Sequence, residues 1–453
     1  MKFSPLSLIK ICNFGPQFFK MKTTLNILIF ILLIGMNLQA QDYQTGTLMT
    51  YNLTFYRETS NFCNGSNNDA NVKDAALKKI IQYAQPNLLV CNEIGSNFAN
   101  PNKIIENALN VDGETSWKQC GYSNNSSNLV NMLFYDSDVF ELKKQDYLTQ
   151  SSNGTYLVRV IDFYTLYYKD PKLSPGSDTT FITVVSAHLK AGSTTADETQ
   201  RDLATKAVME YIENNDIKGN VYMCGDFNVY DAAEQGFQNL INWTSSDYNF
   251  EDPIDEIGNW HNNASYKYYH TQSTRVTSNG CLSGGGMDDR FDFILGSGAT
   301  MNGAKNIEYI NNSYKAIGQD GNRFNESIIS PKNYSVPAGI DTALYNLSDH
   351  LPVKLDFLIK KIEVGIDEAS ASAPDLIVQS VVQETLSIRS TVSIGKTELT
   401  VTDVNGKMVA KHLFTFNVNS EFIVDVQTLN SGMYFLNSLS ANGEIFSAKF
   451  IKK

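Results

Sequence analysis

The chain is short of cations, of cysteine and of long apolar runs, and each shortage removes a class of protein. Lys and Arg number 36 against 48 Asp and Glu, a formal net charge of −12. That balance excludes a protein holding nucleic acid by a basic surface alone, though not an enzyme that reaches phosphate through a bound cation. Six cysteines occur in 453 residues, and no two have the spacing of zinc ligands. The longest apolar stretch, Leu25–Ile34, is broken by Asn26 and is too short for a membrane span. Charged residues make up only 19% of the chain and apolar ones 42%, which excludes a disordered chain and supplies a core large enough for two domains. The 23 Tyr and 25 Phe fit a β-rich protein.

Met21-Lys22, the apolar run and the closing Gly35-Met36-Asn37-Leu38-Gln39-Ala40 describe a secretory signal peptide over residues 1–41, with Met21 read as the start of translation. Those residues hold four Lys and no acid, so the mature chain carries −16. Cys12 is lost with them. Of the remaining five, an odd number, Cys91 and Cys224 sit in apolar strand-like runs and read as core residues. Cys63 and Cys120 lie in polar loops, where pairing after export is open to them, and the sequence leaves the pairing undecided.

From about residue 43 to 360, strands and helices intermix, which implies a layered α/β domain. Thr47–Asn52, Asn87–Glu93, Phe181–His188, Val221–Asp226 and Phe291–Leu295 are short β-branched or aromatic runs ending in polar residues. Asn71–Gln85 and Glu198–Asn214 repeat apolar residues at helical spacing, and Pro86 ends the first. Tyr156–Tyr168 and Thr180–Leu189 read as a hairpin. Residues 361–374 form a linker rich in Asp, Glu, Ala and Ser. Beyond it, 375–453 contains only strand-like runs, with Asn405-Gly406 as a hairpin turn, and reads as a small all-β sandwich.

Four strand ends deliver polar groups where a packed sheet wants apolar ones: Asn52, Glu93, His188, and Asp226 with Asn228. Sites in α/β sheets form where strands end and loops begin. Taken singly, an acid or amide after a strand caps a turn. Downstream lie Arg290-Phe291-Asp292-Phe293-Ile294-Leu295 and Ser348-Asp349-His350-Leu351-Pro352-Val353. In this order the segments resemble the endonuclease/exonuclease/phosphatase superfamily, with Gly225-Asp226-Phe227-Asn228 and Ser348-Asp349-His350 carrying its most specific signatures.

The resemblance implies a four-layer α/β sandwich over residues 43–360, two packed sheets flanked by helices, and a phosphoesterase that uses Mg²⁺ (or Mn²⁺ or Ca²⁺). It makes Glu93, Asn52 and Asp349 the metal-binding residues. Asp226 orients or deprotonates the attacking water, Asn228 fixes phosphate or Asp226, and His188 donates to phosphate or to the leaving oxygen. Asp292 steadies His350 as a His–carboxylate pair, with Asp289 the alternative acid. Oxygen donors suit a hard cation, and phosphate cleavage needs charge neutralisation and an activated water. Ile94-Gly95-Ser96 lacks the Arg that DNase I-like nucleases place after the Glu, and Leu53-Thr54 lacks the Asp of apurinic endonucleases. His261, His270 and His412 match nothing. Gly284-Gly285-Gly286 reads as a flexible turn, and Lys190 and Arg201 read as a solvated face or as phosphate contacts.

The tail, through Leu399–Val409, Asp425–Phe435 and Lys449–Lys453, resembles the type A sorting domain of the type IX secretion system of Bacteroidetes, without the usual Asn-Pro start. The sequence thus predicts a secreted or surface-attached monomer without a membrane span, exported through the periplasm. The substrate expected first is extracellular DNA or RNA, cut endonucleolytically. Phospholipid headgroups or small phosphate esters are the alternative, and a non-catalytic binding module is the reading from another class.

Overall fold

The computed structural model describes residues 42–59, 62–174, 177–362, 376–390, 393, 395–418, 420–440 and 445–453. The signal peptide expected over residues 1–41 lies outside them, as does the linker from residue 363. Two compact units divide between Ile362 and Glu363. Lys361 and Ile362 still belong to the first: their amides donate to Asp42 O and Asp170 Oδ2.

In the first unit one sheet joins β1 (Tyr43–Tyr56), β2 (Leu88–Gly95), β3 (Trp117–Gln119), β4 (Leu129–Asp136), β11 (Ile307–Tyr309), β12 (Lys315–Ala316) and β13 (Val353–Lys360). Its order is β11-β13-β1-β2-β4-β3, with β12 on β13. The other runs β5-β6-β7-β8-β10-β9, from β5 (Phe140–Gln150), β6 (Tyr156–Tyr168), β7 (Phe181–His188), β8 (Val221–Asp226), β9 (Phe250–Glu251) and β10 (Asp292–Ser297).

Side-chain alternation sorts the layers. Ile182, Val184, Tyr222, Cys224 and Ile294 face the first sheet and share its core with Leu48, Val90 and Leu133. Their neighbours Val185, Ala187, Met223, Phe293 and Leu295 turn outward onto helices. Those are α2 (Thr195–Asn214) and α3 (Gln235–Ile241), whose Ala204, Val208, Ile212, Phe237 and Leu240 complete that outer core. On the first sheet's outer face, α1 (Ala70–Ala84) and α4 (Ile340–Leu347) pack through Leu77, Ile80, Leu344 and Leu347. The result is the four-layer α/β sandwich.

Asp69 caps α1 by accepting from the Asn71 and Val72 amides, and Gln85, left-handed at φ 48°, ends it before Pro86. A capping box between Thr194 and Asp197 starts α2 a turn earlier than apolar periodicity indicates.

The second unit has a three-stranded sheet, β14-β16-β19, and a five-stranded one, β15-β21-β20-β17-β18. They span β14 (Leu376–Val378), β15 (Val381–Val382), β16 (Thr385–Ser390), β17 (Gly395–Asp403), β18 (Met408–Phe416), β19 (Glu421–Asp425), β20 (Gly432–Ser440) and β21 (Ile445–Lys452). Their core includes Leu386, Ile388, Val401, Phe416, Leu436 and Phe450, and Gly406 at φ 75° supplies the hairpin turn after β17.

Cys63, whose partner the sequence left open, bridges to Cys281. Cys120 instead lies buried and free, its thiol pushed well up by burial. The bridge closes a loop of 218 residues, which in the chain-entropy account constrains the unfolded chain by on the order of 5 kcal/mol.

One buried acid makes the fold pH-sensitive. Asp162 on β6 takes a hydrogen bond from Ser123 Oγ at 2.6 Å, while its Oδ2 has no partner. Burial pushes its pKa up to about 7 against the pull of Ser123. The folded chain therefore binds more protons than the unfolded one between the ordinary carboxylate range and pH 7, and stability falls as pH rises through that window. Replacing Asp162 with Asn is expected to flatten this dependence. In urea titrations the variant gains on the order of 2 kcal/mol relative to wild type between about pH 4 and pH 8.

Candidate active site

The polar residues read as strand ends gather at one end of the inter-sheet core, although β1 and β2 run on past Asn52 and Glu93 to Tyr56 and Gly95, with a register shift after Asn52. β7 and β8 run parallel with His188 beside Asp226, and antiparallel β10 sets Asp292 opposite Asp226. Parallel β1 and β2 pair Asn52 with Asn92, one residue before Glu93. The close approach of β7 to β8 requires Gly225: at φ 135°, a Cβ there would lie 1.8 Å from the Ala187 carbonyl oxygen. Asn92 ties the layers together, accepting from the Asp226 amide at 3.2 Å and donating to Asn131 at 2.8 Å; Asn131 donates to the Val160 carbonyl on β6.

Left-handed backbone concentrates here. Thr54, Phe55, Arg57, Glu93 and Asn228 have φ between 41° and 58°, a region that costs side-chain-bearing residues energy and most of all β-branched Thr. The turn after Asn52 aims two amides inward, Thr54 N to Asn52 Oδ1 at 2.9 Å and Phe55 N to Glu93 Oε2 at 3.1 Å. Its outward carbonyls, Leu53 O and Thr54 O, are held by Nζ of Lys73, which projects from α1 and is 1% exposed. Burial lowers the Lys73 pKa to about 7, opposed by Asp349 and Glu93.

Asn52 Nδ2 donates to Glu93 Oε1 at 3.0 Å and to Asp226 Oδ2 at 2.9 Å. His188 Nε2 lies 3.4 Å from Asp226 Oδ2 and 3.7 Å from Glu93 Oε1. Ligand atoms of Glu93, His188 and Asp226 fall within 4.8 Å of one another. Two carboxylates and an imidazole fit a divalent cation of hard or borderline character. Of the three residues the resemblance assigns to metal, Glu93 belongs to this group. Asn52 shows it nitrogen rather than oxygen. Asp349 is engaged elsewhere, through Oδ1 to the Thr54 hydroxyl and through Oδ2 to the Ser283 amide at 2.7 Å.

Asp292 Oδ2 lies 2.8 Å from His350 Nδ1, while Asp289 pairs with exposed His261 at 2.6 Å. Burial works against a charged His350, yet Asp292, Asp226 and Asp349 raise its pKa well above the usual value. The side-chain amide of Gln272 lies 2.8 Å from His350 Nε2. Amide orientation follows the proton inventory, so a charged ring calls for the Gln272 carbonyl oxygen at that position. His188 behaves oppositely: burial, then Arg159 and His350, lower its pKa well below the usual value. Burial raises Asp226 to about 7, opposed by His350 and reinforced by Asp292. Asn228 donates its backbone amide to Asp226 Oδ1 at 3.0 Å and its side chain to Leu189 O at 3.4 Å.

Arg201 is not on a solvated face. It is fully buried, paired with Glu234 at 2.7 Å, and braces the carbonyls of Lys190 and Gly192. Lys190 pairs with Asp197 at 2.6 Å. The Gly284–Gly286 turn is packed rather than loose, since a Cβ on Gly286 would meet the Asn325 backbone at 2.3 Å. Buried His270 bonds the Trp260 carbonyl, and His412 stacks on Phe414 in the second unit.

Sequence reasoning missed Lys73, Gln272, Asn92 and Arg159. A signal existed for two of them: Lys73 occupies the buried stripe of α1 with Leu77 and Ile80, and Arg159 lies between Leu157 and Ile161 in an apolar row of β6. Half-buried Arg159 donates to Leu189 O at 3.1 Å, within electrostatic reach of Glu93 and Asp226, and has no carboxylate partner among the described residues.

Residues 382–453 match the family described as the secretion system C-terminal sorting domain. No curated protein matches the chain. Among solved structures it is similar to the human Nocturnin catalytic domain with bound sulfate, at 15% identity over 70% of this chain and 96% of that one, TM-score 0.43. It is similar to an endonuclease/exonuclease/phosphatase from Bacteroides vulgatus, at 15% identity over 70% and 99%, TM-score 0.45. It is also similar to D. rerio TDP2 complexed with single-strand DNA product, at 13% identity over 69% and 99%, TM-score 0.45.

Replacing Lys73 with Met frees the two carbonyls and loosens the amides that hold Asn52 and Glu93. Divalent-cation affinity, read by isothermal titration calorimetry, is expected to fall about tenfold with far-UV circular dichroism unchanged, and Lys73→Arg to retain most of it.

Proposed function

We propose that the chain is an exported, divalent-metal-dependent phosphoesterase. The observation that carries this reading is the convergence of Glu93, His188 and Asp226 on one point, beside a buried His350–Asp292 pair. Glu93 would hold the cation, with Asp226 and His188 beside it for the roles below, and a divalent cation supplies neutralisation of phosphate charge there.

The chain's own groups do the rest. Asp226 Oδ2 orients the attacking water and takes its proton, steadied by the Asn228 amide on its other oxygen. His350, gripped by Asp292, presents a charged ring to phosphate and is the group placed to protonate the leaving oxygen. His188, kept neutral by burial and by Arg159, donates a hydrogen bond to a phosphate oxygen. Arg159 keeps N–H donors free for the same anion. Asn52 locks the two carboxylates in register.

The sorting tail supports export, by the type IX route that the tail and the signal-like N-terminus together imply. The reacting group is a phosphodiester or phosphomonoester. Extracellular DNA or RNA is one source of it, and phospholipid headgroups or small phosphate esters are the other.

The test uses the mature chain, residues 42–453, with Mg²⁺ and bis(4-nitrophenyl) phosphate. Release of nitrophenol is expected, with EDTA or Asp226→Asn lowering it by at least about 100-fold. Turnover indifferent to both changes would contradict the reading. Cation binding without turnover of any phosphoester would leave a binding module in its place.

A further inference from the structure

We propose that this site takes phosphoesters whose only negative charge is the reacting phosphate, carried on a neutral or cationic body, and turns nucleic-acid strands away. This rests on the phosphoesterase reading above. The observation behind it is how charge is distributed over the loops at the catalytic end of the two sheets.

On the side of β8 and β10 those loops hold Asp231, Asp255, Glu256, Asp288 and Asp289, none with a Lys or Arg partner among the described residues. Asp231 accepts only the Ala233 amide, Glu256 the Tyr269 hydroxyl, and Asp289 the ring of His261. Asp289 is near enough to act on His350, and Tyr230 lies within reach of both Asp226 and Asp289. Asp289 therefore borders the reaction centre, and the other acids lie on the loops around it. His261, Asp288 and Asp289 also bring their ligand atoms within 4.8 Å of one another, a corner that attracts positive charge.

Most arginines of the same loops, and Lys190, are already committed. Arg290 is held by Asp252 at 2.7 Å and lies over Phe293; Arg323 is held by Asp320 at 2.9 Å. Lys190 and Arg201 are paired as described and Arg275 lies over Tyr345, which leaves Lys267 and Lys332, over Tyr268 and Tyr334, without an acid partner among the described residues.

On the opposite side, residues 96–99, 120–128 and 276–286 carry no charged side chain at all and are built from Ser, Asn, Gly and a few apolar residues. Here Phe98 is 67% exposed and packs edge-on against Tyr122, and Phe62 is 52% exposed against Phe55, beside the Cys63–Cys281 bridge.

A single phosphate is drawn to the cation site, His350 and Arg159, while an uncharged body rests on amide and aromatic surface. A nucleic-acid strand carries a further negative charge about every 3.4 Å of its axis. Its flanking phosphates would meet the acids of these loops, a repulsion that salt screens. An ammonium group on the body would instead be welcomed by the acidic side.

The experiment compares kcat/KM of the mature chain with Mg²⁺ on bis(4-nitrophenyl) phosphate, 4-nitrophenyl phosphorylcholine and a labelled thymidine oligonucleotide, at about 20 and about 200 mM NaCl. Each small ester is expected to exceed the oligonucleotide, per bond, by at least about 100-fold. Salt should raise oligonucleotide turnover by screening repulsion and change the esters less than about twofold. Asp231→Lys with Asp255→Lys, two loop residues, should narrow the ester-to-oligonucleotide ratio about tenfold or more. Oligonucleotide cleavage as fast as the esters', falling as salt rises in the manner of counterion release, overturns the proposal and leaves the phosphoesterase standing. Turnover of none of the three, nor of 4-nitrophenyl phosphate as the monoester control, removes the phosphoesterase reading, and this one with it.

Discussion

Glu93, Asp226, Asp292 and Asp349 meet at one end of the inter-sheet core, where little water reaches to screen them, and much of the local structure exists to hold them there. Like charges in a low dielectric repel strongly unless protonated, hydrogen-bonded or bridged by a cation. Each of the four is tied down by a different device. Asn52 bridges Glu93 and Asp226, the Phe55 amide takes the other oxygen of Glu93, His350 neutralises Asp292, and Ser283 with Thr54 holds Asp349. The left-handed turn at Thr54–Phe55 and the buried ammonium of Lys73 beneath it are the backbone cost of aiming those amides inward.

What the sequence made legible was what local chain chemistry decides. Polar groups closing apolar strand-like runs drew attention to Asn52, Glu93, His188 and Asp226, and the resemblance carried by Gly225-Asp226-Phe227-Asn228 and Ser348-Asp349-His350 joined them into one candidate site. The layered α/β class and the all-β tail followed from hydrophobic period in the same way. Periodicity passed over β4, β5 and β13. β4 is buried along nearly its whole length, so no alternation marks it, whereas half-exposed β5 carries a register break.

Partners far apart in sequence were illegible for a different reason. Cys281 reaches Cys63 across 218 residues only because the loops after β1 and before β10 fold over the same cleft. Lys73 and Arg159 each interrupt an apolar row, which marks them as unusual, but only the packed layers show that one points under the Asn52 turn and the other toward Leu189. The directions of the Asn52 and Asp349 side chains are likewise set by the Thr54 amide and hydroxyl, two residues past Asn52.

If this crowd of acids is a cation site, a cation must stabilise the fold, since a ligand bound only to the folded state raises its stability by mass action. The most direct test is the thermal midpoint of the mature chain with and without Mg²⁺ or Mn²⁺, set beside that of Glu93→Gln. The account requires a rise of several degrees for the wild type, at about one hundred times the dissociation constant, and little or none for the variant. Equal shifts in both proteins, or none in either, would contradict it.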